Sequence, residues 1–342
     1  MRAALMREHG GPEVLEIGEM PDPEPRRGEV VVDVRAVALN HLDLWVRRGL
    51  PGLELELPHV GGADVAGTVA SAGEGVEGWK AGDRVVVNPG KWCGRCEWCV
   101  RGENSLCEHF GILGEHVQGG LAEQVRVPAT SLYPLPDGFP FEEAAAVPLV
   151  FQTAWRALVS RARLAPGETV LVTGGSGGVS TAAIQIAALC GARVLAVTSG
   201  PENVERVLEL GASHAIDRLE EDFSSAAFEA TGRRGVDVVL DSVGEAVWAD
   251  CVRALARDGR LVSYGATTGP EGCQDIRRLF WKQIRIIGST MASRAEFERV
   301  MDLVFAGRLR PVVDVVWPLD RISEAHARLE AGEGFGKIVL LP

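Results

Sequence analysis

The stretch that most restricts the fold of this chain is VLVTGGSGGVSTAAIQIA, at positions 170–187 of 342 residues. An apolar run typical of a buried strand ends in a glycine-rich turn, and the turn opens directly into a helical pattern. This order favours a dinucleotide-binding turn, because helix N–H groups then face a pyrophosphate that the glycine backbone can approach closely. We predict that Gly175 makes the turn and that Gly177, Gly178 and Val179 lie against the cofactor.

Strand and helix patterns alternate around this turn. Residues 193–198 predict a second strand, and VDVVLDSVG and GRLVSYGA predict two more, with the helix EAVWADCVRALARD between them. Such alternation indicates parallel βαβ units. EEAAAVPLVFQTAWRALVSRA, before the turn, is typical of a helix. The first 150 residues are short apolar runs broken by Gly and Pro, which predict a β-rich domain. The chain is long enough for two domains.

The formal net charge of −12 argues against a nucleic-acid partner, because a surface that follows phosphates is basic. No apolar run approaches the roughly 20 residues of a membrane span, and the first residues lack the apolar segment of a signal peptide. These features predict a cytoplasmic protein that binds neither nucleic acid nor membrane and whose partner is a small-molecule substrate.

Four cysteines lie in CGRCEWCVRGENSLC, with two, two and seven residues between them. The spacing suits one tetrahedral zinc ion bound by thiolates. An iron–sulfur cluster and free thiols are the alternatives, although the seven-residue gap departs from the bacterial ferredoxin run. Zinc with four protein ligands has no position for water or substrate, so the site is predicted to be structural. Its ligands would be Cys93, Cys96, Cys99 and Cys107.

The end of the second strand bears on the choice of cofactor. NAD sites usually place an Asp or Glu there to bind the ribose hydroxyls, and that carboxylate repels a 2′-phosphate. This strand ends in Thr198 and Ser199, with no acidic residue before Glu202. The sequence therefore favours NADP(H) over NAD(H). Arg218, after the third strand, is the candidate donor to the 2′-phosphate, with an exposed loop arginine as the alternative.

Together these residues resemble the medium-chain dehydrogenase/reductase superfamily over essentially the whole chain, through to the closing GKIVLL. The resemblance implies a GroES-like, β-rich catalytic domain at residues 1–149 and 288–342. It implies a Rossmann domain, an α/β doubly wound parallel sheet, at residues 150–287. The cysteine segment resembles the structural zinc lobe of the zinc alcohol dehydrogenases. The resemblance also implies cofactor contacts for Thr153, Val243, Gly265 and Lys337.

The catalytic zinc ligands of those dehydrogenases have no counterpart in this chain. Asn40, Ala63 and Leu149 stand where the zinc enzymes carry Cys, His and Cys, and Asp64 stands where they carry Glu. The side chains of alanine and leucine have no electron pair to donate to a metal. The segment LNHLDLWVRRG instead resembles the zinc-free quinone oxidoreductase branch of the superfamily.

This combination implies an NADPH-dependent oxidoreductase that transfers a hydride to quinones or to activated C=C and carbonyl compounds. Without a Lewis acid, an acceptor whose anion is delocalised is favoured, because positioning and one or two hydrogen bonds suffice. Asn40 would orient the nicotinamide or the substrate, as a catalytic and cofactor-binding residue. His41 is the candidate proton donor, with a surface histidine as the alternative.

Two other functions stay open at the level of sequence. One is an alcohol or aldehyde dehydrogenase with a non-standard metal site made from His41, His59, Asp43 or Asp64. The other is a non-enzymatic NADPH-binding protein, as occurs among lens crystallins of the quinone reductase branch. Members of the superfamily are usually homodimers or homotetramers, often joined across an edge strand of the Rossmann sheet, for which QIRIIGS is the candidate.

Overall fold

The structure is a computed structural model that describes residues 1–342. Its strands, in chain order, are β1 (Arg2–Met6), β2 (Leu15–Glu19), β3 (Glu29–Ala38), β4 (Asp64–Ala72), β5 (Arg84–Val87), β6 (Gly90–Lys91), β7 (Gly111–Ile112), β8 (Gln124–Pro128), β9 (Leu132–Pro134), β10 (Thr169–Val172), β11 (Arg193–Thr198), β12 (His214–Asp217), β13 (Val236–Asp241), β14 (Leu255–Ser263), β15 (Arg285–Gly288), β16 (Val313–Pro318) and β17 (Lys337–Leu341).

The α-helices are α1 (His41–Arg48), α2 (Glu97–Val100), α3 (Phe141–Ala145), α4 (Pro148–Trp155), α5 (Gly178–Leu189), α6 (Pro201–Glu209), α7 (Phe223–Ala230), α8 (Trp248–Ala254), α9 (Ile276–Lys282), α10 (Arg294–Phe305) and α11 (Ile322–Ala331). None of them is both long enough and apolar enough to cross a bilayer.

Two compact units divide the chain. Unit 1 contains Met1–Leu149, Ser293–Phe305 and Pro311–Pro342, and unit 2 contains Val150–Ala292 and Ala306–Arg310. Each unit is built on a sheet of its own.

Unit 1 contains a seven-stranded sheet in the order β16-β17-β3-β4-β5-β9, with β8 also paired to β3. Strand β3 is a long run of small and β-branched residues, which favour a strand packed within a sheet. Its valines pack in a core with apolar residues of β4, β5, β8 and β17. Because β17 and β4 both pair antiparallel with β3, the strand ends that carry Asn40, Asp64 and Lys337 lie next to one another.

Unit 2 contains six parallel strands in the order β12-β11-β10-β13-β14-β15. The inner strands are continuous apolar runs, as expected for a sheet that is covered on both faces. The strand order reverses between β10 and β13, where doubly wound sheets bind their ligands. The α/β doubly wound arrangement predicted from the sequence is therefore confirmed, and β15, from the segment QIRIIGS, lies at the sheet edge.

Two predicted helices are shorter than the sequence pattern suggested. The helix expected over EEAAAVPLVFQTAWRALVSRA is divided, because α4 begins at Pro148, which cannot continue α3. A π-helix, Arg156–Arg161, follows α4. The helix expected over EAVWADCVRALARD ends at Ala254, because Leu255 begins β14 and pairs with β13. Pairing with a neighbouring strand thus outweighs local helical propensity there.

Candidate active site and cofactor site

Three adjacent strands of unit 1 bring Asn40 next to two other polar residues. Asn40 follows β3, Asp64 begins β4 and Lys337 begins β17. With Asp43 on α1 they form a group that we call the buried polar cluster. The exposed fractions of Asn40, Asp43, Asp64 and Lys337 are 6%, 4%, 0% and 4%. Charged residues are rarely buried to this extent unless they are paired.

The ammonium group of Lys337 connects the members of the buried polar cluster. Lys337 Nζ donates to Asn40 Oδ1 and, at 2.9 Å, to Asp64 Oδ2. Asn40 Nδ2 donates to the same Asp64 oxygen at 3.0 Å and to Ala38 O at 3.4 Å. The other Asp64 oxygen accepts the N–H of Leu149 at 2.8 Å. Asn40 and Asp64, which the resemblance places where the zinc dehydrogenases carry a cysteine ligand and a glutamate, are therefore bonded to each other and to Lys337.

Asp43 fixes the start of α1, and with it the position of Asn40. The Asp43 carboxylate accepts the N–H of Asn40 at 2.7 Å and the N–H of Gly62 at 2.9 Å. Gly62 has φ of +92°, and a Cβ there would lie 2.8 Å from the backbone nitrogen of Leu121, so this position requires glycine. Burial raises the pKa of Asp43 to about 6, because the two N–H donors only partly replace the lost water.

His41, the candidate proton donor, is the first residue of α1 and follows Asn40 directly. Burial lowers the pKa of His41, and the positive charges of Lys337 and Arg48 lower it further. The imidazole is therefore neutral at neutral pH, where it donates one hydrogen bond and carries no charge. The helix start thus holds both predicted catalytic residues together.

Three of the four residues named for the alternative metal site, His59, Asp43 and Asp64, have partners within the chain. His59 Nε2 lies 3.0 Å from the carbonyl oxygen of Gly114. The Asp43 oxygens accept backbone N–H groups, and Asp64 is in the ion pair. In residues 1–342, the group of three or more His, Cys, Asp or Glu side chains that lies close enough to hold one ion is the cysteine cluster.

The glycine-rich turn of unit 2 follows β10. Gly174 has φ of +57°, a left-handed conformation that favours glycine. The N–H of Gly175 donates to Val197 O at 2.7 Å, and a Cβ on Gly175 would lie 3.0 Å from that oxygen. Gly177 precedes α5, which begins at Gly178. The predicted glycines lie together, but the residue in the left-handed conformation is Gly174, whereas the sequence motif places the turn at Gly175.

Two polar side chains that flank the turn hold it in place. Thr173 Oγ1 donates to Asp241 Oδ1 at 2.6 Å, and Asp241 Oδ2 accepts the N–H of Gly244 at 3.0 Å. Ser180, in the position of the third glycine of the motif, donates from Oγ to Thr173 O at 2.8 Å. Burial raises the pKa of Asp241. The sequence analysis did not identify Asp241. The one indication of its role in the sequence is that an acidic residue ends a buried strand.

The ends of β11 and β12 lie side by side, with Thr198 opposite Asp217. Thr198 is buried, its hydroxyl has no hydrogen-bond partner, and a Cβ on Gly175 would lie 3.5 Å from its Cβ. The N–H of Arg218 donates to Thr198 O at 3.0 Å. The predicted residues Thr198, Ser199 and Arg218 therefore meet at the end of β11, and Thr198 also borders the glycine-rich turn.

The remaining predicted cofactor residues of unit 2 lie at two places. Val243 and Gly265 follow β13 and β14, at the same sheet edge as the glycine-rich turn. A Cβ on Gly174 would lie 3.6 Å from Val243 Cγ2. Thr153 is on α4, and its hydroxyl lies 4.0 Å from the sulfur of Met291. Val179, in the first turn of α5, belongs with the glycine residues.

The four predicted zinc ligands converge in unit 1. Their sulfur atoms all lie within 4.8 Å of one another, as tetrahedral binding of one ion requires. Cys107 Sγ accepts the N–H groups of Cys93 and His109, both at 3.3 Å. Backbone N–H donors lower the pKa of Cys96 to about 6, whereas burial raises the pKa of Cys99 to about 12. Four soft donors in this geometry fit zinc.

A β-rich unit with the buried polar cluster and a doubly wound unit with a dinucleotide turn together define a nicotinamide-dependent oxidoreductase. The chain matches the family model for the alcohol dehydrogenase GroES-like domain over residues 26–137 and the model for zinc-binding dehydrogenase over residues 178–306. It belongs to the medium-chain dehydrogenase/reductase superfamily. The family and the fold that the sequence led us to expect are thereby confirmed.

Two relatives and one solved structure indicate the range of related activities. The chain is 33% identical over 341 residues to an acryloyl-coenzyme A reductase of Metallosphaera sedula, with 99% of each chain covered. It is 32% identical over 350 residues to a quinone oxidoreductase of Lama guanicoe, covering 100% of this chain and 97% of the relative. The crystal structure of an NAD-dependent alcohol dehydrogenase matches with a TM-score of 0.97 and 46% identity, covering 100% of both chains. The chain is an NAD(P)-dependent oxidoreductase.

Lys337 has a position that sequence reasoning did not anticipate. The resemblance placed it among the cofactor contacts, and the structure shows it bonded to Asn40 and Asp64. The pairing depends on β17 lying beside β3, so no local pattern near Lys337 could have indicated it.

Proposed function

We propose that this chain is an NADPH-dependent reductase of quinones and of C=C bonds conjugated to a carbonyl group. The observation that carries the proposal is the ion pair of Lys337 with Asp64, both of which also bond to Asn40. The Lys337 ammonium group contacts Asn40 and Asp64. By the resemblance, these two residues stand where the zinc dehydrogenases carry metal-site residues. Ala63 and Leu149 replace two further ligands and have no electron pair to donate.

The choice of acceptor follows from the donors that unit 1 offers. NADPH, when bound, supplies a hydride. Addition of a hydride to an isolated ketone produces a localised alkoxide, which needs a Lewis acid or several arranged hydrogen bonds of about 3 kcal/mol each. Addition to a quinone or an enone produces a delocalised anion. Orientation of the acceptor and one or two donors from the chain are then sufficient.

We assign different roles to the three polar residues at the start of α1 and β17. The neutral His41 donates a hydrogen bond to the oxygen on which negative charge develops. Lys337 has three N–H groups and uses two of them within the chain, so the third is free to donate to the same oxygen or to the cofactor. Both ends of the Asn40 amide are already bonded, so Asn40 acts by holding Lys337 in place.

The preference for NADPH is supported by the end of β11. No acidic side chain ends that strand, and the exposed guanidinium of Arg218 makes no hydrogen bond or ion pair within the chain. An arginine in this position provides a planar fork of donors for a 2′-phosphate. We further propose that the cysteine cluster holds one structural zinc ion and that the protein is a homodimer.

The proposal is tested by steady-state rates with purified zinc-loaded protein. The acceptors are a benzoquinone, an enone and an enoyl thioester with NADPH or NADH; in the reverse direction, primary and secondary alcohols are tested with NADP+ or NAD+. We expect kcat/KM for the best conjugated acceptor to exceed that for any alcohol by at least about 100-fold, about 2.7 kcal/mol in transition-state free energy. We also expect one zinc per chain.

Two results would overturn the proposal. Faster turnover of simple alcohols, with a second zinc ion required for it, would assign the protein to the alcohol dehydrogenases. That second candidate is favoured by the 46% identity to a protein named as an NAD-dependent alcohol dehydrogenase. Absence of turnover with every acceptor, together with tight NADPH binding, would instead assign a binding function without catalysis.

A further inference from the structure

The carboxylate of Asp217 joins two turns of unit 2 that follow neighbouring strands. Asp217 Oδ2 accepts the N–H of Gly200, in the turn between β11 and α6, at 3.0 Å. Asp217 Oδ1 accepts the N–H of Leu219, in the turn after β12, also at 3.0 Å. Gly200 has φ of +80°, a conformation that glycine adopts without strain. Each carboxylate oxygen is thus held by a backbone donor from a different turn.

Arg218 lies between these two attachments. Its own N–H donates to Thr198 O at 3.0 Å, so its backbone is fastened to the end of β11. Its neighbour Leu219 is fastened to Asp217. The Arg218 side chain is exposed and unpaired. A guanidinium group on a fixed backbone has less freedom to lose when it binds a phosphate, which favours binding.

The negative charge of Asp217 would oppose a 2′-phosphate if the carboxylate were free to face it. The backbone donors of Gly200 and Leu219 orient the carboxylate toward the two turns. At the adjacent strand end, the Thr198 hydroxyl is buried without a partner within the chain. The exposed guanidinium of Arg218 is then the group left to face the ribose end of a dinucleotide.

From this geometry we infer that Asp217 is a positioning residue for cofactor specificity: it holds Arg218 and the Gly200 turn in the arrangement that accepts a 2′-phosphate. The inference rests on the proposed NADPH preference. Asp217 acts through Arg218 and does not itself touch the phosphate. The opposite role, direct acceptance of the ribose hydroxyls by the carboxylate, would favour NAD and gives the opposite response to substitution.

Binding of two half-cofactors to the full-length, zinc-loaded protein separates these roles. We measure the dissociation constants of 2′,5′-ADP and 5′-AMP by calorimetry for wild type, D217A, D217N and R218A. The ratio of the two dissociation constants isolates the contribution of the 2′-phosphate to binding, because a general loss of protein stability weakens the binding of both ligands equally. D222N is the matched control: Asp222 also accepts a backbone N–H, that of Ser225 at 2.8 Å, at the start of α7.

We expect wild type to bind 2′,5′-ADP at least about tenfold more tightly than 5′-AMP, as one charge-assisted contact provides. R218A should bring the ratio close to one. D217A should lower this ratio about fivefold and change the dissociation constant of 5′-AMP less than twofold. D217N should lower the ratio less than D217A does. KM for NADPH should rise in D217A while kcat at saturating NADPH stays unchanged. D222N should keep the wild-type ratio.

The outcomes distinguish this inference from the proposed function. A wild-type ratio of one or less overturns both the NADPH preference and the positioning role. A high wild-type ratio that D217A leaves unchanged, or increases, overturns the positioning role alone. If D217A does not fold, as judged by urea unfolding, D217N decides the question by the same ratio.

Discussion

Lys337 and Asp64 form a buried ion pair whose partners depend on each other. Removing two charges from water is costly, and their attraction offsets that cost only when the remaining polar atoms are bonded. Here Asn40 bonds to both partners and Leu149 donates to the outer oxygen of Asp64. The stability of unit 1 should therefore be sensitive to the loss of one partner and less sensitive to the loss of both.

A double-mutant cycle tests this dependence. K337M leaves the Asp64 carboxylate buried without its cation, and D64N leaves the ammonium without its anion. Each single substitution should lower the free energy of unfolding by about 3 to 5 kcal/mol. The double variant K337M/D64N should be more stable than the sum of the single effects by about 2 kcal/mol, measured by urea unfolding. Additive effects would show that the two charges are not coupled.

Asp43 gives unfolding a specific dependence on pH. Because burial raises its pKa from an ordinary value near 4 to about 6, the native state binds its proton more tightly than the unfolded chain does. The stabilisation is therefore complete below about pH 4 and is lost as the pH rises through about 6. Its full size is about 3 kcal/mol. D43N, which does not titrate, should lack this contribution.

The measurement is the difference in unfolding free energy between wild type and D43N from pH 4 to pH 7.5. We expect this difference to fall as the pH rises. D222N is the control of opposite sign, because hydrogen bonds from Ser225 lower the pKa of Asp222. From pH 4 to pH 7.5 the stability of wild type relative to D222N should stay nearly constant, because the stability linked to a lowered pKa is lost only as the pH falls below about 4. A wild-type minus D43N difference that is flat with pH would contradict the assignment for Asp43.

At the scale of single elements, the cysteine lobe and α10 are linked within unit 1. Asn104, which lies inside the lobe, accepts the N–H of Arg294, the first residue of α10, at 3.0 Å. The first N–H groups of a helix have no partner within the helix, so this contact satisfies one of them. Zinc bound by the four cysteines should therefore stabilise the helix as well as the lobe.

Removal of the metal tests this link. A strong chelator, or the substitution C99S, should lower the melting temperature by roughly 5 to 10 °C, because folding and binding at a structural zinc site are coupled. Zinc content by mass spectrometry should fall from one per chain to near zero. C190S, at a cysteine outside the cluster, should keep both the zinc and the melting temperature. Loss of zinc without any change in melting temperature would contradict a structural role.

The elements that sequence predicted best are those whose signal is local. The strand, the glycine-rich turn and α5 are consecutive in sequence, and the four cysteines occupy one short segment. Spacing alone therefore predicted two groups of residues that lie together in the structure. The division of the helix at Pro148 could also have been predicted, since proline cannot continue a helix. The end of α8 could not, because it depends on the pairing of Leu255 with β13.

Contacts between distant segments account for what sequence reasoning missed. Lys337 meets Asp64 only because β17 and β4 flank β3, and that register is set by packing of the whole sheet. Asp217 meets Gly200 only because β12 pairs with β11. The sequence pattern indicated these strands but not which strands pair with one another. It could therefore not predict the role of a side chain that depends on the pairing of two strands.

At the scale of the whole molecule, the open edge of the unit 2 sheet bears on assembly. Strand β15 is paired on one side only, by β14, which leaves backbone donors and acceptors along its other side. Ile286 on this strand is 40% exposed. Phe280 and Trp281, on the preceding helix α9, are 63% and 66% exposed. Unpaired backbone groups beside exposed aromatic residues favour pairing with a second copy of the chain.

We therefore expect I286K to separate the proposed dimer, because a charged side chain on an edge strand opposes strand pairing between chains. Light scattering after size exclusion should give twice the chain mass of 36.6 kDa for wild type and the chain mass itself for I286K.

V316K is the matched control: Val316 is 42% exposed and lies on β16, the edge strand of the other large sheet. It should leave the mass unchanged. A wild-type mass that I286K does not alter would mean that β15 does not mediate assembly, and a fall in mass with V316K would place the contact at β16.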